Sequence, residues 1–482
     1  MNVKAISTNI GKALLINALF MFISVLISIY NGFDSAFTPL LISFLVTAIT
    51  GCFPFIFVRK EIETSIKSGY LTIIISWMLS FIFGMLPYVL WGGEFTLINA
   101  WFESVSGYTT TGSTILTDIE ALPKSLLFWR SSTHFIGGLG VIVFLLMIMP
   151  DSSPFKLRLT HLELSSLSKE GYRYKAGKTA RIMLSVYIGL IIAETLCLWA
   201  AGMTPFDAAN HAMSTVATGG FSTKNASIMH YDSIAIDIII TIFMVLSSMH
   251  FGVIFTSFAK HSLKPLRNPV TQYYFIVIAI LSVTIALNLK FQGGYDSWGR
   301  SLLDSTFQTA SFISTTGFGQ ADNSSWPLLA NVLLIMASIH CGCSGSTTGG
   351  IKADRIYISM KSIWGDLQKK LHPSSMFRTK IGERTIDEDT ISSVFMYIVF
   401  YIFLIFISFV ILLICGLEIG DAFSGTVASL GNVGPGTGNL GTMGNYSGMP
   451  SVAKFIFSVD MFLGRVEIFP VFIVMTMIRD RQ

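Results

Sequence analysis

The chain has 482 residues, 52% of them hydrophobic and only 12% charged, with a net charge of +4. A soluble domain carries about 25% charged residues, so this chain lacks the charge to cover soluble globules, and its apolar content excludes disorder. The small net charge gives no footing for a nucleic-acid partner. Cys52, Cys197, Cys341, Cys343 and Cys415 all lie in apolar stretches and make an odd count, against a secreted disulfide framework. The expected fold class is an all-α polytopic membrane protein.

Ten apolar stretches match the roughly 20 residues that cross a hydrocarbon core. They lie at about 11–30, 36–57, 70–91, 126–149, 179–201, 234–258, 270–289, 326–357, 391–415 and 452–478. No small-residue cleavage site follows the first, which is read as a retained span. Basic residues fall in alternate loops. Arg59, Lys60 and Lys67 follow the second span, and Lys156, Arg158, Lys169, Arg173, Lys175 and Lys178 the fourth. Lys260, Lys264 and Arg267 follow the sixth, and Lys361, Lys369, Lys370, Arg378, Lys380 and Arg384 the eighth. Arg479 and Arg481 close the chain. Basic loops stay cytoplasmic, so both termini are expected there. The charged segment 352–389 is either a docking site for a cytosolic partner or a solvated loop.

From the third span onward the chain repeats. Each outward loop carries an acidic residue (Glu103, Asp207, Asp304, Asp421), a short apolar helical segment, and a Thr/Gly-rich turn. The turns are Thr110-Thr111-Gly112, Ala217-Thr218-Gly219, Thr315-Thr316-Gly317 and Asn432-Val433-Gly434. Four units of span, short helix, glycine loop and span are expected at 70–150, 151–260, 261–360 and 361–482. An N-terminal two-helix hairpin, 1–69, lies outside them.

The short helices cannot cross a bilayer, so each re-enters. Non-helical backbone at membrane depth is tolerated where it lines a cavity or is buried in protein. Four such loops on one axis line a pore with carbonyls that replace the hydration shell of a cation. The acidic residue is expected to cap its helix. Arg465 lies near the middle of the tenth span with Asp460 and Glu467 nearby. A charge there faces a cavity or a partner, so it is read as a gate, against a packing salt bridge. Gly342, Gly345, Gly349 and Gly350 among serines and threonines break the eighth span.

These residues resemble the Trk/Ktr/HKT superfamily of potassium transporters over essentially the whole chain. The extra N-terminal pair makes the chain most like the Trk-type membrane subunit. The motifs are the four turns, extended to Ser113, Gly220, Phe318 and Pro435, with Gly342-Cys-Ser-Gly-Ser-Thr-Thr-Gly-Gly-Ile-Lys352 and Gly464-Arg-Val-Glu-Ile-Phe469. The resemblance implies one potassium path with the turns as selectivity filter and potassium as substrate, in a bacterial cytoplasmic (inner) membrane. It also implies a gating loop in the eighth span, an arginine constriction at Arg465, a homodimer, and a cytosolic nucleotide-binding regulatory subunit. No organic cofactor is implied. Asn432-Val433 departs from the Thr-Thr of the first and third turns.

Gly345–Lys352 is no phosphate loop, since Ile351 separates glycine from lysine. Cys341, Cys343 and His340 point in different directions on a helix and make a poor metal set. His134, His211 and His250 are read as packing groups. Glu194 is either a proton or sodium carrier or a buried carboxylate. No nucleophile–base pair is legible, so no enzyme is expected. The alternative is an ion-coupled secondary transporter with sodium or proton symport.

Overall fold

The computed structural model describes residues 3–58, 66–147, 176–372, 378–382 and 384–479. The basic positions Arg59, Lys60, Lys156, Arg158, Lys169, Arg173, Lys175 and Arg481 lie outside them. The N-terminal pair, α1 (Val3–Tyr30) and α2 (Phe37–Phe57), crosses at two glycines. A Cβ on Gly11 would lie 2.6 Å from the Gly51 carbonyl, and small residues allow such backbone contact between apolar helices.

Taken by the four expected units, the first stretch holds α3 (Ile66–Gly84), α4 (Leu86–Trp91), the short α5 (Leu97–Tyr108) and α6 (Lys124–Met147). The second holds α7 (Ala176–Ala200), the short α8 (Pro205–Val216), α9 (Ile234–Ser247) and α10 (Phe251–Ala259). The third holds α11 (Pro269–Gln292), the short α12 (Trp298–Ile313), α13 (Leu328–His340) and α14 (Ala353–Leu371). A two-residue strand pair, β1 (Lys380–Ile381) and β2 (Arg384–Thr385), then precedes the fourth unit. That unit holds α15 (Glu388–Ile414), the short α16 (Ile419–Leu430), α17 (Ser451–Arg465) and α18 (Phe469–Arg479). The N-terminal pair packs through α1 on α3 and α6.

The short helices form where capping and apolar content predict. Thr204 accepts the Asp207 amide at 3.1 Å, and Pro205 occupies the first turn of α8. Twelve residues of helix, as in α5, α8 and α16, span about 18 Å and cannot cross a bilayer of about 30 Å. Their C-terminal halves are buried throughout, so they are core elements and not surface turns.

Six described helices or pairs are long and apolar enough to cross a membrane, namely α1, α2, α3 with α4, α7, α11 and α15. The pair α9 and α10 makes a seventh if counted as one span. The remaining expected spans are helical but differ in kind. The α6 helix carries Lys124, Arg130 and His134, and the eighth and tenth spans are split.

The break in the eighth span was expected, but two others were not. The chain bends by 103° between α9 and α10, where the His250 ring accepts the Gly252 amide at 2.9 Å and starts a new helix. The tenth span breaks after Arg465, where Glu467 and Ile468 take φ of 60° and 53°. Expected spans six and ten are therefore each two helices. All three breaks fall in the second long helix of a unit, just inward of its glycine turn.

Candidate functional site

Each short helix ends in the same hydrogen-bonded turn. The amides of Thr110, Thr218, Thr315 and Asn432 reach back to the carbonyls of Gly107, Thr215, Phe312 and Ser429 at 2.9–3.1 Å. The next amides, of Thr111, Gly219, Thr316 and Val433, reach Ser106, Ser214, Ser311 and Ala428 at 2.8–2.9 Å. This is the Schellman cap, whose left-handed residue is usually glycine. Here it is threonine or asparagine, at φ of 52°, 58°, 56° and 54° in chain order. Left-handed threonine is strained by about 1–3 kcal/mol, and a strain repeated in three units is held by their surroundings.

Two residues further on stands a left-handed glycine in every unit, Gly112, Gly220, Gly317 and Gly434, at φ of 82°, 81°, 79° and 96°. The repeat therefore runs Thr110–Gly112, Thr218–Gly220, Thr315–Gly317 and Asn432–Gly434. The second turn differs by one residue from the expected Ala217–Gly219. Ala217 ends its helix, as Thr109, Ser314 and Gly431 end theirs. The paired glycines of Gly219-Gly220 left the register open, and the left-handed Thr218 settles the backbone equivalence.

The four turns meet in a closed ring. A Cβ on Gly112 would lie 2.0 Å from the Gly219 carbonyl oxygen, and one on Gly220 would lie 2.1 Å from that of Thr316. On Gly317 it would lie 2.0 Å from the Val433 oxygen, and on Gly434 2.3 Å from that of Thr111. Every unit offers the equivalent carbonyl to the glycine of the unit before it. Glycine is required here twice over, by its φ and by the backbone of its neighbour.

The same register re-sorts the acidic residues. Asp207, Asp304 and Asp421 align with Asn99, whereas Glu103 aligns with His211, Gln308 and Gly425. Asp207 does not cap α8: Thr204 does, accepting the Asp207 amide at 3.1 Å. The Asp207 carboxylate accepts the Thr204 hydroxyl at 2.9 Å and the Thr223 hydroxyl at 2.6 Å, tying the helix start to the chain leaving the ring. Asp304 accepts the Tyr295 hydroxyl at 3.0 Å. Burial, with that carboxylate, pushes the Tyr295 hydroxyl up to about 12, so it stays protonated. Outside the membrane the Asn225 amide holds the Asp118 carboxyl below its usual range, joining the outer loops of units one and two.

Glu103 does not cap a helix. It is fully buried, pairs with Arg130 at 2.8 Å, and accepts the Thr114 hydroxyl and the Ile115 amide. Arg130 also donates to the Ser222 carbonyl at 3.3 Å and lies 4.0 Å from the Phe221 ring centroid. This pair braces the exits of turns one and two. Glu103→Gln strands a buried guanidinium, and the expected loss is about 3–5 kcal/mol. It is checked by thermal unfolding in detergent, with Glu103→Gln/Arg130→Met recovering part of it.

The interrupted span, 341–352, lies buried against the inner side of the turns. The Thr347 hydroxyl donates to the Val216 carbonyl at 3.0 Å, beneath turn two. The Gly349 amide donates to Thr315 Oγ1 at 3.3 Å, in turn three. A Cβ on Gly349 would lie 2.5 Å from the Gly431 carbonyl of unit four. Gly342 packs on the Ser248 carbonyl and Gly345 on His250, at the bend between α9 and α10. Gly350 packs on Cys341.

Arg465 pins this loop. Its Nη1 donates to the Thr347 carbonyl and its Nη2 to the Gly137 carbonyl of α6 at 2.9 Å. The side chain is buried. The alternative salt bridges are not made: Asp460 accepts the Ser408 hydroxyl at 2.7 Å, and Glu467 pairs with Lys352 and Arg355. That cluster ties the end of the loop to the break between α17 and α18, and sequence reading missed it. His134 stacks on Phe221 at 4.1 Å, His211 bonds Asp207 and Ser222, and Glu194 is fully buried beside Thr215.

Comparison with known proteins supplies the family. A family profile described as TrkH, cation transport protein, matches residues 40–481. The Trk system potassium uptake protein TrkH of Salmonella typhimurium is 35% identical over 383 residues, 79% of each chain. The Trk system potassium uptake protein TrkG of Escherichia coli is 32% identical over 380 residues, 78% of each chain. The crystal structure of the potassium transporter TrkH from Vibrio parahaemolyticus superposes with a TM-score of 0.88, covering 98% of each chain at 29% identity.

Proposed function

This chain belongs to the TrkH family of cation transport proteins, and we propose that it is the potassium-conducting subunit of a Trk-type uptake system. The observation that carries the reading is the closed ring of four glycine turns. A ring in which each glycine abuts the carbonyl of the next unit is built chiefly from backbone, with the Pro435 ring joining the contact at Gly317. Carbonyl oxygens in such a ring replace the hydration shell of a cation without proton chemistry. The filter residues are Thr110–Gly112, Thr218–Gly220, Thr315–Gly317 and Asn432–Gly434, with Ala217 as the helix end behind the second turn.

The loop containing Gly342, Gly345, Gly349 and Gly350 is the gate, held across the inner side by Arg465. Its contacts with units two, three and four, and through Arg465 with unit one, support this reading. The path lies within ten crossings of the bacterial inner membrane, with both termini cytoplasmic, as the alternation of basic loops supports. Pairing as a homodimer and control by a cytosolic nucleotide-binding subunit fit the family, and the charged segment 352–389 is the docking site for that subunit.

Cells lacking their own potassium uptake test the function. Expression of this chain is expected to restore growth at low potassium, and Gly317→Ser, with its side chain forced onto the Val433 carbonyl, is not. Equal rescue by both, or by neither, contradicts the proposal.

A further inference from the structure

The four left-handed residues of the ring are not alike. Thr218 turns its hydroxyl to the Ala217 carbonyl at 2.6 Å, within its own turn. Thr315 Oγ1 accepts the Gly349 amide, and Thr110 Oγ1 has no hydrogen-bond partner among the described residues. Asn432 carries an amide instead. Its Nδ2 donates to Thr111 Oγ1 at 3.1 Å, in the adjoining turn of unit one, and to the Met461 carbonyl of α17 at 2.8 Å. Thr111 Oγ1 is in turn 2.8 Å from Thr109 Oγ1. The asparagine is fully buried.

Asparagine suits this place on two counts. It tolerates the left-handed region better than any β-branched residue, and its amide supplies two donors where a threonine has one short hydroxyl. There is no slack around it. A Cβ on Gly349 would lie 2.6 Å from Asn432 Oδ1, and one on Gly464 2.9 Å. The side chain is thus fixed between turn one, α17 and the inner loop.

We infer that Asn432 is a positioning residue for ion selection, clasping the fourth turn to the first through the Thr111 hydroxyl and to α17 through the Met461 carbonyl. The seam matters because the fourth turn lacks the hydroxyl pair that stiffens turns one and three. Thr109 with Thr111, and Ser314 with Thr316, pair at 2.8 and 2.7 Å, whereas the fourth turn has Gly431 and Val433 at those places. Asn432 thus provides the fourth turn with a side-chain tie to its neighbour. The inference rests on the pore reading above.

The test is tracer rubidium uptake into proteoliposomes holding the full chain, with potassium and sodium as competitors. Asn432→Thr copies the other units, and Asn432→Gly relieves the backbone and serves where the threonine does not fold. Thr111→Val removes the acceptor, and valine already stands at the equivalent place as Val433. Each variant is expected to lose about tenfold in potassium-over-sodium preference, the worth of one or two hydrogen bonds. Asn432→Thr/Thr111→Val is expected to be no worse than the worse single variant, because both remove one contact. Unchanged preference in Asn432→Gly and Thr111→Val, or additive losses in the double variant, overturns the clasp while leaving the pore intact. Wild-type uptake that potassium does not displace overturns the pore reading itself.

Discussion

Gly220→Ala is expected to reduce ion flux at least tenfold while the protein still assembles. Gly219→Ala, combined with His134→Ala, should retain it. At φ of 81° a Cβ on Gly220 is strained by about 1–3 kcal/mol and would stand 2.1 Å from the Thr316 carbonyl. That oxygen is backbone, and its residue is held by the amide bond to Ser311 at 2.9 Å, so only displacement of turn three relieves the clash. Gly219 is a different case. Its equivalents are Thr111, Thr316 and Val433, all with side chains, and what obstructs a Cβ there is the His134 ring at 2.3 Å. Trimming that ring makes room. Rubidium uptake normalised to incorporated protein checks both variants, and full flux through Gly220→Ala contradicts the ring.

Arg465→Ala is expected to raise resting flux by about tenfold or more. The guanidinium holds the inner loop at Thr347 and fixes it to α6 at Gly137. Hydrogen bonds from a charged group contribute about 1.5–3 kcal/mol each, and about 1.4 kcal/mol is a decade in an equilibrium. The substitution also removes a positive charge from the inner side of a cation path. Arg465→Lys separates the two effects, because lysine keeps the charge but lacks the planar fork that reaches both carbonyls. Its flux is expected to fall between wild type and Arg465→Ala. Stopped-flow or tracer flux without any cytosolic subunit makes the measurement, and unchanged flux in Arg465→Ala removes this residue from the gate.

The four short helices and their turns were legible because their marks are local. An apolar segment too short to span, followed by threonine and glycine, appears in each outward loop, and the structure places buried short helices there. The second turn resisted because Ala217-Thr218-Gly219-Gly220 offers two glycines. Only the left-handed Thr218 and its hydrogen bonds distinguish the register, although Gly220-Phe221 beside Gly317-Phe318 carries the signal in sequence. The break in span eight was readable from its glycines. Those in spans six and ten were not, since Ser248-Met249-His250 and Val466-Glu467-Ile468 contain neither glycine nor proline, and the bend in span six is set by the His250 side-chain cap. The frame behind the ring was also hidden. Arg130 and Glu103 become neighbours only when α6 folds back on α5 within unit one, and Asn432 and Thr111 only when units four and one meet, and no spacing in the chain encodes either contact.

The central claim is a backbone ring that selects potassium. Its most direct test is the competition profile of rubidium uptake into proteoliposomes containing the full wild-type chain. The account predicts that external potassium displaces the tracer at concentrations where sodium does not. Displacement by sodium and potassium alike would contradict a ring of carbonyls held at fixed size by four interlocked glycines.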